Sequence, residues 1–279
     1  MQLRRMLTET PLARQHERVM RGQARRKVTP IPWQTFDRSR WPDAALRLAL
    51  DAQQKLAMGE YLAVDLFARV ASAVALHGAP IDLVAAAAAI PGDEVRHADF
   101  TLRMSALIAG KDVVVPVKKE LLQSRYSTSR MTQEELDHFM IEVPAIGETL
   151  ACALLKACAD RATDPTVKAL YANIVRDEVH HARFGWYYLA WRAPQWTQAE
   201  RQRVADRMGA HVVEIERRFW KGRDAPASAH KSASALGVLD SPAQRVVVKR
   251  IMEDEIVPAL DAVGLGASHA WRVRRRGKA

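Results

Sequence analysis

Cysteine is nearly absent: Cys152 and Cys158 are the only two in 279 residues. They stand six apart in one apolar helical stretch, a spacing that suits neither a zinc site nor a redox pair, and one helix cannot bridge it. A reduced, cytoplasmic setting is the simplest expectation. Glycine and proline are sparse, at 13 each, and β-branched runs are few, so little interrupts helix. The Arg-rich first 30 residues lack the apolar segment of a secretory signal, and no stretch of about 18 apolar residues appears elsewhere. The expectation is a soluble protein without membrane contact.

What fills the chain is Ala, Leu, Arg and Glu in long uninterrupted stretches, which predicts an all-α fold. The length suffices to bury a core without disulfides. The net charge of +10 is uneven: residues 1–40 hold ten Lys/Arg against three acids and residues 264–279 five against none, which leaves −2 for residues 41–263. The reading is a basic N-terminal extension over 1–40, a helical domain over 41–263 and a basic tail over 264–279. Such tails are ordinarily solvated, with RNA, an acidic carrier protein or an anionic surface as alternative partners.

Punctuation places the helices. Pro30 and Pro32 close the extension. A helix runs from Asp43 to about residue 77, where Gly78, Ala79 and Pro80 end it. A second runs from Asp82 to about residue 109 with an expected kink at Pro91. Residues 111–130 read as a long crossover. Thr132 and Glu135 form a capping box for a third helix reaching about residue 161 through a kink at Pro144. Asp164 caps a fourth, with Pro165 at its first position, that reaches about residue 191. Two further helices follow from about residue 197 and over about 241–263, and the Ala/Ser-rich stretch 222–237 between them reads as a loop.

Helical spacing puts Glu60 amid the apolar stripe of Leu56, Ala63, Phe67 and Val74, and Glu148 and Glu178 lie on similar stripes. The chain also repeats itself. Gly59-Glu60-Tyr61-Leu62-Ala63 resembles Gly147-Glu148-Thr149-Leu150-Ala151, and Asp93-Glu94-Val95-Arg96-His97-Ala98-Asp99-Phe100 resembles Asp177-Glu178-Val179-His180-His181-Ala182-Arg183-Phe184. Each copy supplies one Glu and, about thirty residues on, a Glu-x-x-His. From Glu148 to its helix end, and from the next helix start to Glu178, are each about 14 residues, roughly 21 Å, so the two carboxylates meet at one level of a hairpin. The legs of the first copy differ by roughly 7 Å, so Glu60 rests more on its likeness to Glu148 than on distance.

Glu and His three apart share a helix face and can both reach one metal. Four carboxylates and two imidazoles suit iron or manganese, and their formal charge balances two divalent cations. Without metal, four buried carboxylates would repel one another and raise each other's pKa.

These motifs resemble those of the ferritin-like non-haem diiron carboxylate superfamily, over about residues 43–191. The resemblance implies a ferritin-like four-helix bundle with a long crossover between its second and third helices and two additional C-terminal helices. It implies Glu60, Glu94, His97, Glu148, Glu178 and His181 as ligands of two Fe ions, with Mn an alternative in one or both positions. Asp93 and Asp177 would hold the ligand histidines from behind. Arg96 belongs to the motif, and His180 replaces it in the second copy. Tyr171, seven residues before Glu178 on the same face, is a candidate hydrogen-bond partner near the site, with a core tyrosine the plainer reading. Ile174 stands where arylamine N-oxygenases carry an extra histidine. His211 with Glu214 is the other helical histidine of interest, although an ordinary surface position is the plainer reading.

The implied activity is that of an O2-dependent diiron oxidase or monooxygenase that hydroxylates, N-oxygenates or desaturates a small or carrier-bound organic molecule. Without a Cys-x-x-Cys iron domain, electrons would come from a separate ferredoxin or reductase. The small residues Ala63, Ala151 and Gly185 either leave room beside the metals or allow close helix packing. A transfer-RNA hydroxylase acting through the basic tails, and a non-catalytic iron-binding or storage protein, are the alternatives; a homodimer is compatible with either activity.

Overall fold

In the computed structural model of the chain, residues 29–117, 131–220 and 227–274 are described. Within them the fold is all-helical. Four long helices come first: α1 over Asp43–Leu76, α2 over Ile81–Ala109, α3 over Gln133–Arg161 and α4 over Pro165–Arg192. Each boundary has a local cause. Gly78, at φ +70°, takes the left-handed conformation that lets the Ala79 amide bond back to the Val74 carbonyl, closing α1 before Pro80. Thr132 and Glu135 form the reciprocal capping box at the start of α3. The Asp164 carboxylate accepts from the Thr166 and Val167 amides, capping α4. Of the crossover expected over 111–130, residues 118–130 lie outside those described.

α1 packs along α2, α3 along α4, and α2 against α4. One apolar core, including Phe67, Leu83, Phe139, Ile146 and Phe184, fills one end of this arrangement. A second, including Leu46, Met104, Leu155, Leu170 and Ile174, fills the other. Glu60, Glu94, His97, Glu178 and His181 are all buried at the level between the two. Ile174 is wholly buried in the second core.

Pro144 does not simply kink α3. Residues Ile141–Gly147 form a π-helical turn around it. Proline has no N–H to give the carbonyl four residues back and its ring crowds that carbonyl, so a wider turn lets the rod continue. Gly185 on α4 sits against this turn, where a Cβ would collide with the backbone of Pro144 and Ala145. Gly185 therefore serves close helix packing. α2, by contrast, runs through Pro91 in α-helical form.

α3 is long and apolar enough to cross a membrane by length and composition, which the count of consecutive apolar residues did not reveal. Half of that stretch is buried against neighbouring helices, and Asp137 anchors its first turns. The Asp137 carboxylate accepts from Gln133, Tyr188, Arg192 and Trp196. A core helix accounts for it.

Four helices follow α4 among the described residues, not two: α5 over Gln198–Trp220, α6 over Ala227–Ser234, α7 over 241–262 and α8 over Ala267–Val273. α6 occupies part of the expected loop. Its Ala and Ser residues make no broad apolar stripe, yet Ala favours helix, and Ala233 and Leu236 are buried where α6 lies along α1. α7 contains a second π-helical turn at Met252–Ile256 and packs on α3. α8 lies where a solvated tail was expected. Ala267 and Trp271 bury it against α5 and the end of α7. The end of the basic extension is also packed, since Ile31 is buried and Asn173 bonds both the amide and the carbonyl of Thr29.

Candidate metal centre

The helical repeat brings the six expected residues to one place from four different helices. Glu60, Glu94, His97 and Glu178 can each offer a donor atom within 4.8 Å of the others, and so can Glu148, Glu178 and His181. Glu178 belongs to both groups. Its two oxygens lie 3.1 Å from His97 Nδ1 and 3.2 Å from His181 Nδ1. Glu94 likewise spans the histidines, at 3.8 Å from His97 Nδ1 and 3.1 Å from His181 Nδ1. Glu60 lies 3.7 Å from His97 Nδ1. Glu60 is buried and belongs to the larger group, whereas Glu148 is the more exposed of the two lone glutamates.

The far side of each imidazole is held by the opposite copy of the repeat. Asp177 on α4 faces His97 Nε2 on α2 at 3.3 Å, and Asp93 on α2 faces His181 Nε2 on α4 at 3.3 Å. The sequence motif alone does not reveal that exchange, because each Asp precedes its own helix's Glu. Arg96 ties both aspartates together, at 2.5 Å and 2.7 Å. Donation of each Nε2–H to an aspartate leaves Nδ1 as the lone-pair side of the ring, aimed into the cluster.

That arrangement needs a positive charge between its donors. Glu94 Oε2, His97 Nδ1, Glu178 Oε2 and His181 Nδ1 are buried without a hydrogen-bond partner. Lone pairs facing lone pairs at about 3 Å repel unless a proton or a cation lies between them. The pKa directions express the proton solution. Burial, reinforced by the Glu94 charge and only partly offset by the nearby His97, pushes Glu60 well above the usual carboxylate range. Burial and the charges of Glu178 and Glu94 push Glu148 up as well. Burial opposes the charge on Glu94 and Glu178 too, but His181 and His97 hold both below the ordinary value. Both histidines are raised well above theirs, because surrounding carboxylates outweigh burial, which works the other way. Metal ions are the alternative occupants. The donors are carboxylate oxygens and imidazole nitrogens without thiolate, which fits iron or manganese.

Beside the cluster is a cavity of about 480 Å³ between α1 and α3, bordered also by α5. Glu60, Glu94, Glu148 and Glu178 line its floor, with apolar walls that include Leu56, Val143, Ile146 and Leu154. Ala63 and Ala151 border it, so these small residues do leave room beside the cluster. His211 is no ordinary surface residue. It lines the cavity with Glu214, its side chain is 10% exposed, and its Nδ1 lies 3.7 Å from Glu142.

Tyr171 is not at the cluster. Its hydroxyl accepts from Gln53 at 2.9 Å, and its ring packs against Gly237. The seven-residue interval shares a face with Glu178 but lies about 10 Å along the helix axis, too far for contact. His180 is half-buried and outside both donor groups. Burial pushes the thiols of Cys152 and Cys158 up to about 11 and about 12, so neither is a reactive thiolate near neutrality. No protein-family model matches the chain, and no curated protein matches it in sequence.

Proposed function

We propose that the chain is a ferritin-like, O2-dependent diiron oxidase or monooxygenase. The observation that carries this reading is the pair of carboxylates, Glu94 and Glu178, each reaching toward both histidines at the floor of a largely apolar cavity. Glu60, Glu94 and His97 would hold one ion and Glu148, Glu178 and His181 the other, with Glu94 and Glu178 shared. When bound, the iron pair would supply electrons to O2 and so the oxidising power for hydroxylation, N-oxygenation or desaturation.

The chain's own part is binding, orientation and exclusion of water. Asp93 and Asp177 fix both imidazoles with Nδ1 inward, and Arg96 holds the two aspartates in place. The two apolar cores keep solvent from the cluster along the helix axes, leaving the cavity as the approach for substrate and O2. Its volume suits a small organic molecule, or the end of a carrier-bound one. An external ferredoxin or reductase would complete the electron balance.

Anaerobic loading with Fe(II), followed by O2 with absorbance monitoring and product analysis, tests the reading. Iron oxidation coupled to an organic product supports it. Accumulation of many more irons than two per chain with no product favours storage. Retention of wild-type iron content by Glu94→Ala and Glu178→Ala rejects the site.

A further inference from the structure

We propose that Glu134, His138, His211 and Glu142 form a proton relay from solvent to the cavity above the cluster. The proposal rests on the oxygen-reducing reading, because that chemistry consumes protons. Hydroxylation balances as R–H + O2 + 2 e⁻ + 2 H⁺ giving R–OH + H2O, with the electrons from a ferredoxin- or reductase-type donor and the protons from bulk water. Two apolar cores flank the cluster along the helix axes, so protons reach it from the cavity side, where titratable groups can deliver them.

The geometry supplies one. Glu134, His138 and Glu142 recur every four residues along α3, so they form one stripe, and α5 brings His211 against it. Glu134 is 43% exposed at its side chain and paired with Arg203 at 2.9 Å. Its other oxygen lies 3.8 Å from Nε2 of His138, which is only 1% exposed. The His138 and His211 ring centres are 6.4 Å apart. His211 Nδ1 is 3.7 Å from Glu142, and both residues line the cavity that Glu60 and Glu148 floor. One water or a small ring rotation closes each gap. Histidine accepts and releases a proton near neutral pH, which suits it to both middle positions. Charged groups around the route include Arg203 on Glu134, Glu214, itself paired with Arg217 at 2.8 Å, and Lys55, which also lines the cavity.

A purely structural His138 and His211 would fill space and move no protons. The test compares full-length Fe(II)-loaded wild type, His211→Gln and Glu142→Gln reacting with O2 in H2O and in D2O. The relay predicts unchanged iron content, oxidation slowed about tenfold and a larger solvent isotope effect in both variants. It also predicts that imidazole in the buffer restores the rate of His211→Gly. In the metal-free protein, ¹⁵N resonances of the imidazoles give a second readout, in which His211→Gln shifts the titration of His138. Wild-type rates and isotope effects in both variants, or a His138 titration indifferent to His211, overturn the relay while leaving the iron site standing. A wild type that binds iron but never reacts with O2 overturns the oxygenase reading and the relay with it.

Discussion

The α1/α2 and α3/α4 hairpins deliver the same donors to one level through different backbones. α1 is regular and presents Glu60 from a continuous α-helix, whereas Glu148 follows directly on the π-helical turn of α3. The matching positions seven residues beyond Glu94 and Glu178 are Thr101 and Gly185. Thr101 has room for a branched side chain, with its hydroxyl bonded to the His97 carbonyl, while Gly185 has no space for a methyl group. Equivalent chemistry thus tolerates unequal packing, provided that each hairpin turns its carboxylates to the shared interior.

The sharpest way to break the comparison is through the donors. Glu178→Ala should remove iron from both positions, because Glu178 belongs to both groups. Glu60→Ala and Glu148→Ala should each leave about one of two ions per chain, as measured by metal analysis after anaerobic loading. If the halves are unequal, one of the two single variants will lose both.

Asp93→Asn and Asp177→Asn should weaken metal binding about 10- to 100-fold. The exchange of aspartates across the hairpins predicts that Asp93→Asn loosens the position served by His181, and Asp177→Asn the one served by His97. Occupancy read by a spectroscopically distinct ion such as Co(II) would tell the two apart.

Gly185→Ala should lower stability by about 1–3 kcal/mol through overlap with the α3 backbone, seen as a reduced melting temperature. Thr101→Ala should cost about 1 kcal/mol or less.

A smaller effect concerns pH. Folded His97 and His181 bind protons more tightly than they would unfolded, where the value is near 6.5. Their contribution to metal-free stability is therefore complete below about 6.5 and lost as pH rises through the folded values. Thermal melts should show the metal-free protein losing stability as pH climbs above 6.5, with added Fe(II) opposing that loss because deprotonation favours metal binding.

Tyr171→Phe should do least to the metal site. It removes one buried hydrogen bond with Gln53, worth about 1 kcal/mol, and should leave metal content unchanged.

The donors were legible in the sequence because helical periodicity is rigid: a Glu three residues before a His must share its face, and hairpin legs of equal length must bring Glu148 and Glu178 level. Helix caps at Thr132 and Asp164 were equally local. Features set by contacts between distant segments were not legible. The π-helical turn depends on how α3 accommodates Pro144 against Gly185 of α4, and the cavity depends on how α5 covers α1 and α3. α6 has too few large apolar residues to announce itself, and α8 carries basic residues that obscure the burial of Trp271. Tyr171 marks the limit of the periodicity rule: a face shared with Glu178 is not a shared site, and its place is in the core beside Gln53.

The most direct test of the account is the iron content of the purified chain after anaerobic Fe(II) loading and removal of excess metal. The account predicts about two irons per chain for the wild type and almost none for Glu178→Ala. A wild type that retains no iron, or a Glu178→Ala variant that retains as much as the wild type, would contradict it.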